Sequence, residues 1–205
     1  MLEVVDLACE RGERRLFQGL NFSLKVGELL YVHGQNGSGK TTLLRTLCGL
    51  AWPAAGEVRW DGAEIRRLGD DYHRKMLYIG HLNGVKDDFT AFENLRVTGQ
   101  LAGYADSEER ALAALRRMEL TACAELPGKV LSQGQRRRLA LARLLLGDSK
   151  LWILDEPFSA LDVKSVEGVQ TVLSEHLDNG GMVVLTTHQE VEITSRRARH
   201  IHLGA

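Results

Sequence analysis

Eight consecutive residues carry the first chemistry in this chain. Gly34, Gln35, Asn36, Gly37, Ser38, Gly39, Lys40 and Thr41 follow the pattern G-x-x-x-x-G-K-[ST], between an apolar run and a helical one. Glycines at that spacing let successive backbone N–H groups turn inward around phosphate oxygens, where a Cβ would clash. The helix that follows aims the positive end of its dipole at the same anion. On this reading Lys40 reaches the β- and γ-phosphates and the Thr41 hydroxyl ligates Mg²⁺, with Thr42 completing the loop. Downstream, the apolar run Leu151–Leu154 ends in two carboxylates. Asp155 is placed to hold Mg²⁺ through a water, and Glu156 to orient or deprotonate the water that attacks the γ-phosphate.

Two further constellations fit the same chemistry. Ser132 and Gln135 stand as S-x-x-Q, a capping box that opens a helix through Leu139, Ala142 and Leu146. With Gly134 beside it, that N-terminus is a second anion site, although the same residues also describe an ordinary capped helix. His188 closes the apolar run Val183–Thr187 and would share a sheet edge with the phosphate loop, within reach of the γ-phosphate.

The elements that must position these residues are short. Strands are expected at Leu2–Cys9, Leu16–Leu24, Glu28–Gly34, Gly56–Gly62 and Lys75–Gly80, with a helix over Lys40–Leu50. Between His81 and Lys150 no strand pattern appears. Thr90 and Glu93 form a capping box there, and Ser107 is expected to cap a helix reaching Leu120. Strands return at Leu151–Leu154 and Met182–Thr187, apolar on both faces as buried parallel strands are, around a helix from about Asp162 to Leu177. A last strand is expected over Arg199–Leu203. This order implies one α/β domain over 1–205, with a core lobe of about 1–81 and 148–205 and a helical lobe of about 82–147.

Composition narrows the field. The 205 residues carry a net charge of −1, which gives no global positive field, so no nucleic-acid partner is expected. The dense basic run Arg136–Arg138 reads as a helix face or as partners for core acids. Runs free of Asp, Glu, Lys and Arg, such as Leu29–Gly39, fall far short of the ~20 residues that span a bilayer. The N-terminus has acids inside its apolar run and does not read as a signal peptide. Three widely spaced cysteines fit buried thiols in a reducing compartment better than a metal site. A soluble, cytoplasmic chain is expected. Glycine is abundant, 21 against 3 prolines, which suggests backbone that turns tightly or approaches something closely.

Taken together, the loop at 34–41, Leu131–Gln135 (LSQGQ), Trp152–Glu156 (WILDE), Ser159–Asp162 (SALD) and His188 resemble the ATP-binding cassette (ABC) ATPases, in the family order and over essentially the whole chain. The resemblance implies a P-loop NTPase core with an antiparallel β lobe and an embedded α-helical lobe. It also implies ATP and Mg²⁺ as cofactors and a head-to-tail homodimer. Ser132 and Gly134 of one copy would close over the γ-phosphate held by Lys40 of the other, with Asp162 at the seam. Three positions depart from the family pattern. Arg11 stands where an aromatic ring usually stacks on adenine; a guanidinium can stack there too. His81 stands where a Gln usually senses Mg²⁺ or water and couples to a membrane partner; imidazole can do the same with a pH dependence. Gln133 replaces the usual Gly of the signature.

Cys9–Phe17, Tyr78–His81 and Trp152–Phe158 are similar to the haem-exporter ATPases of bacterial cytochrome c maturation. That resemblance implies integral membrane subunits as partners, a peripheral place on the cytoplasmic face of the inner membrane, and haem as an indirect cargo reached only through the complex. Another ABC exporter, a non-transport ABC ATPase and a small P-loop kinase stay open on the residues alone. The kinase would leave LSQGQ and the Asp155–Glu156 pair idle.

Overall fold

The computed structural model describes residues 1–188, 191, 193 and 197–204. It divides into two compact units: Met1–Gly80 with Ser149–Glu156 and Leu173–Ala205, and His81–Asp148 with Pro157–Val172.

The first unit holds two sheets. β1 (Leu2–Arg11), β2 (Arg14–Leu24), β4 (Ala55–Trp60) and β5 (Ala63–Glu64) form an antiparallel sheet in the order β2-β1-β4-β5. β3 (Leu29–Gly34), β6 (Met76–Ile79), β7 (Leu151–Asp155), β8 (Met182–Thr186) and β9 (Ala198–Leu203) form a parallel sheet in the order β6-β7-β8-β3-β9. Every residue of β7 and β8 is buried, which is why both read as unbroken apolar runs. Because the pairs β7–β8 and β8–β3 are parallel, the C-terminal ends of all three strands share one sheet edge. A single apolar cluster joins the sheets through α1 (Lys40–Leu47), whose Leu43, Leu44 and Leu47 lie beside Phe17, Val32 and Ile153. β9 is fixed to β3 by pairing and by rings: His33 stacks on His200 and His202, and Tyr31 on His200.

The strands fall close to the expected spans. The sequence pattern misses two four-residue helices, α2 (Ile65–Leu68) and α3 (Asp70–His73), which are too short to show a period. α7 (Val163–Asp178) carries His176, which lies flat on Trp152 of β7 with 3.6 Å between ring centroids. Burial pushes that imidazole down to about 4, so it stays neutral against the indole.

The second unit is helical, with α4 (Ala91–Leu101), α5 (Ser107–Arg117) and α6 (Gln133–Ala142). Thr90 caps α4 with the reciprocal bonds of a capping box: its Oγ1 accepts from Glu93 N and the Glu93 carboxylate accepts from Thr90 N. Ser107 does not cap α5. It is the first helical residue, 3% exposed, and Asp106 stands at the cap position. The reason is packing: a Cβ on Gly99 of α4 would lie 3.0 Å from the Ser107 Cβ, so Ser107 is the small residue that lets the helices approach. The basic run of α6 is spent inside the unit. Arg136 pairs with Asp87 at 2.6 Å, Arg137 is 1% exposed and donates to Pro157 O and Asn83, and Arg138 donates to Met118 O.

Candidate functional site

The turn between β3 and α1 is built for an anion. Gly39 has φ +102°, a left-handed conformation that L side chains rarely adopt, and a Cβ there would stand 3.0 Å from Leu16 Cβ. Gly34 is needed for a different reason: a Cβ would fall 2.4 Å from Ser38 Oγ and 2.8 Å from Leu203 O. The Ser38 hydroxyl is buried and makes no hydrogen bond. Lys40 is 8% exposed and folds back over the loop, its Nζ donating to Gly34 O at 2.7 Å and Gln35 O at 3.2 Å. An ammonium that close to two carbonyls is already desolvated and aimed at the loop's centre. Asn36, Gly37, Gly39, Lys40, Thr41 and Thr42 line a cleft of about 260 Å³ together with Arg11, Arg14, Leu16 and Glu156.

Opposite the loop, the end of β7 presents the acid pair. Asp155 is 3% exposed, and its Oδ2 accepts from Thr41 Oγ1 at 2.8 Å. Its Oδ1 accepts from Thr186 Oγ1 at 2.7 Å. The same Thr186 oxygen accepts from the Glu156 backbone N–H at 2.9 Å, so one hydroxyl ties both acids to the end of β8. Glu156 holds φ +51°, a left-handed backbone for a side-chain-bearing residue. There its carboxylate meets His188, with Oε1 3.1 Å from Nε2. A hydroxyl and a carboxylate 2.8 Å apart at the mouth of a phosphate loop are hard oxygen donors of the kind Mg²⁺ takes. The buried Ser38 hydroxyl, left without an acceptor, and the glycine-lined turn fit a polyphosphate.

The first unit therefore brings together the loop residues 34–42, Asp155, Glu156, His188 and Arg11. His81, Ser132, Gly134 and Gln135 belong to the second unit. His81 is exposed at its first position. Ser132 caps α6, its Oγ accepting from Gln135 N at 3.2 Å while Gln135 Oε1 accepts from Ser132 N at 2.8 Å. The Gln135 amide also donates to Cys123 Sγ, so that side chain is held within its own unit. Gly134 takes no left-handed turn. A Cβ there would meet Ala160 O at 3.0 Å, so the glycine serves a close approach to the Ser159–Asp162 turn rather than backbone freedom.

Sequence reasoning passed over Thr186, Arg14 and Leu16. For Thr186 the signal was present: a polar residue closing an apolar strand needs a buried partner. Arg14 and Leu16 carry no such signal, because only the β1–β2 pairing, which sets Arg11 opposite Arg14, brings them to the cleft.

A glycine-lined anion turn between a parallel strand and a helix, with a buried Asp on the loop Thr and a Glu–His pair at the same sheet edge, defines a P-loop nucleotide-binding ATPase. A sequence model of the ABC transporter family matches residues 17–159. The chain belongs to that family and is an ABC-type ATPase. It is 56% identical over 202 residues to the cytochrome c biogenesis ATP-binding export protein CcmA of Nitrosospira multiformis, covering 98% of each chain. To the protein of the same name from Nitrosomonas europaea it is 54% identical, covering 100% of this chain and 96% of that one. Among solved structures it is similar to the dimeric post-hydrolysis form of the ATP-binding cassette MJ0796 bound to ADP and Pi. That match has a TM-score of 0.86 and 26% identity, over 100% of this chain and 97% of that one.

Proposed function

We propose that this chain is the ATP-hydrolysing, energy-coupling subunit of a membrane transporter serving cytochrome c maturation, in which ATP drives the delivery or release of haem carried by a periplasmic chaperone. One observation carries the reading: a single cleft collects the phosphate loop and Glu156, with Asp155 bonded to Thr41 of that loop and His188 paired with Glu156. The names of the relatives above, which pair ATP binding with export in cytochrome c biogenesis, supply the biological setting.

The loop amides and Lys40 bind the β- and γ-phosphates, the ammonium trading the carbonyls of Gly34 and Gln35 for phosphate oxygens. Thr41 and, through a water, Asp155 would hold Mg²⁺, which supplies neutralisation of the phosphate charge. Glu156 takes the proton of the attacking water. His188 holds the Glu156 carboxylate in place and turns its imidazole toward the γ-phosphate. Two copies pair head to tail, so that Ser132 and Gly134 at the start of α6 cover the γ-phosphate of the opposite copy; that the similar ADP- and Pi-bound cassette is dimeric supports pairing as such. His81 couples the nucleotide state to integral membrane subunits, and the chain works on the cytoplasmic face of the inner membrane. Among the described residues no helix is long and apolar enough to cross a membrane, so the spanning part falls to those subunits.

A pull-down of the tagged chain from its native membrane in mild detergent tests the setting. Integral membrane proteins recovered in fixed ratio to the chain are the expected result. An active ATPase that recovers none would overturn the transport role.

A further inference from the structure

The chain enters the second unit at two places beside functional residues: at His81, which follows β6, and at Pro157, which follows Glu156. β6 and β7 are register neighbours, with Ile79 opposite Leu154, so these two segments leave the sheet one strand spacing apart, about 4.8 Å. One buried side chain of α6 grips both. Arg137 donates from Nε to Pro157 O and from Nη1 to Asn83 Oδ1, each at 3.2 Å. Arg143 adds a donor to Asn83 O at 3.3 Å, so the loop that follows His81 is held by side chain and backbone together.

Space alone does not call for a guanidinium here. Arg137 is among the largest fully buried side chains, and an apolar residue would fill the same volume without desolvating a charge. What an apolar residue cannot do is bond oxygens on two loops at once, as the planar fork of arginine does. The bond to Pro157 has a particular value. Glu156 stands before a proline, which steers the preceding residue toward extended backbone, and it nevertheless holds φ +51°. A backbone in so sparse a region persists only where its surroundings over-determine it. Thr186 Oγ1 holds the N-terminal side by accepting from Glu156 N–H, and Arg137 holds the C-terminal side at the carbonyl of the next residue.

We propose that Arg137 is a positioning residue: it keeps the Glu156 carboxylate aimed by fixing the peptide that follows, and it ties that peptide to the loop carrying His81, so that a change at one is felt at the other. The proposal rests on the readings of Glu156 as the base and His81 as the coupling residue, and adds the group that links them. In the chain purified with its membrane partners, three quantities are measured: ATP affinity, single-turnover hydrolysis, and hydrogen exchange of the backbone N–H groups of residues 81–85 with and without ATP. Arg137→Met should leave ATP affinity within about twofold, because Lys40 and the loop amides are untouched. Its hydrolysis should slow about 100-fold, the effect of misplacing a catalytic group by about 1 Å, and its 81–85 segment should no longer respond to ATP. Arg137→Lys, which keeps the charge in case Arg137→Met does not fold, offers one nitrogen for two acceptors and should lose the exchange response too. Asn83→Leu cuts only the second tie, so hydrolysis should stay close to that of the unaltered chain while the exchange response disappears. A merely structural Arg137 would lower the melting temperature, ATP affinity and hydrolysis together, without this split. An exchange response retained in both Arg137→Lys and Asn83→Leu would overturn the proposal while leaving Glu156 and His81 in their roles. Normal hydrolysis by Glu156→Gln, or an 81–85 segment that ignores ATP in the unaltered chain, would instead sink the reading on which the proposal rests.

Discussion

The two units carry their functional residues in opposite ways. In the first, Lys40 is held by its own loop, but the acid pair stands on contacts from distant parts of the chain. Thr41 meets Asp155 across 114 residues of sequence, and Thr186 meets Asp155 across 31. In the second, Ser132 and Gln135 satisfy each other three residues apart at the start of one helix. A network tied across two strand ends and the start of α1 changes everywhere when one tie is cut, because buried groups lose partners that water cannot replace. A capping box fails locally and leaves the rest of its unit standing. The contrast assigns the nucleotide chemistry to the assembled edge and leaves α6 a separable, contact-making end.

The largest effect should come from the group that the network aims. Glu156→Gln removes a base while keeping size and most hydrogen bonding, so hydrolysis should slow by about 10²–10⁴ with nucleotide binding retained. Single-turnover hydrolysis and size-exclusion chromatography with ATP check this together, since a closed dimer should accumulate when closure no longer ends in hydrolysis. Near-normal turnover would remove Glu156 from the base role.

Thr186 tests whether the network itself matters. Thr186→Val keeps the shape but withdraws the donor to Asp155 Oδ1 and the acceptor for Glu156 N–H. Both groups are held at the end of a strand that is buried along its whole length, so stability should drop by about 1–3 kcal/mol. Turnover should fall by about 10–100-fold, the same free energy read at the transition state, with a raised Mg²⁺ requirement. Thr186→Ser, which restores the hydroxyl, should recover both. A merely structural role for Thr186 would move the melting temperature without moving the Mg²⁺ dependence.

The same contrast governs what could be read from the sequence. The loop at 34–41, both capping boxes and the α/β order with a helical insert are local patterns, and each follows from the spacing of a few residues. Ser107 misled because N-cap chemistry and a tight helix–helix contact both favour a small residue, and only tertiary packing decides between them. Thr186, Arg14 and Leu16 escaped for a related reason. Their importance is created by strand neighbours distant in sequence, and no window along the chain contains both partners. The twenty-one glycines point the same way. Their number suggested close backbone approach, but Gly34 and Gly134 owe theirs to Leu203 and Ala160, which the folded chain supplies.

The smallest effect should come from the second unit, and its smallness is the point. Ser132→Ala deletes the oxygen that accepts from Gln135 N, leaving an N-terminal N–H of α6 without its cap. Such losses cost about 1 kcal/mol, or roughly 2–4 °C in melting temperature for a domain of this size. Because α6 lies in a different unit from the phosphate loop, ATP affinity of the monomeric chain should stay within about twofold, well below the tenfold that 1.4 kcal/mol would bring. On the head-to-tail pairing proposed above, hydrolysis by the paired form should nevertheless fall, since the variant would bring no Ser132 hydroxyl to the γ-phosphate of the opposite copy. Titration with a fluorescent ATP analogue below the dimerisation concentration, set beside turnover above it, separates the two. Should Ser132→Ala weaken monomer binding as much as Thr186→Val does, the signature helix would be part of the same assembled site, and the division between a cooperative edge and a detachable cap would fail.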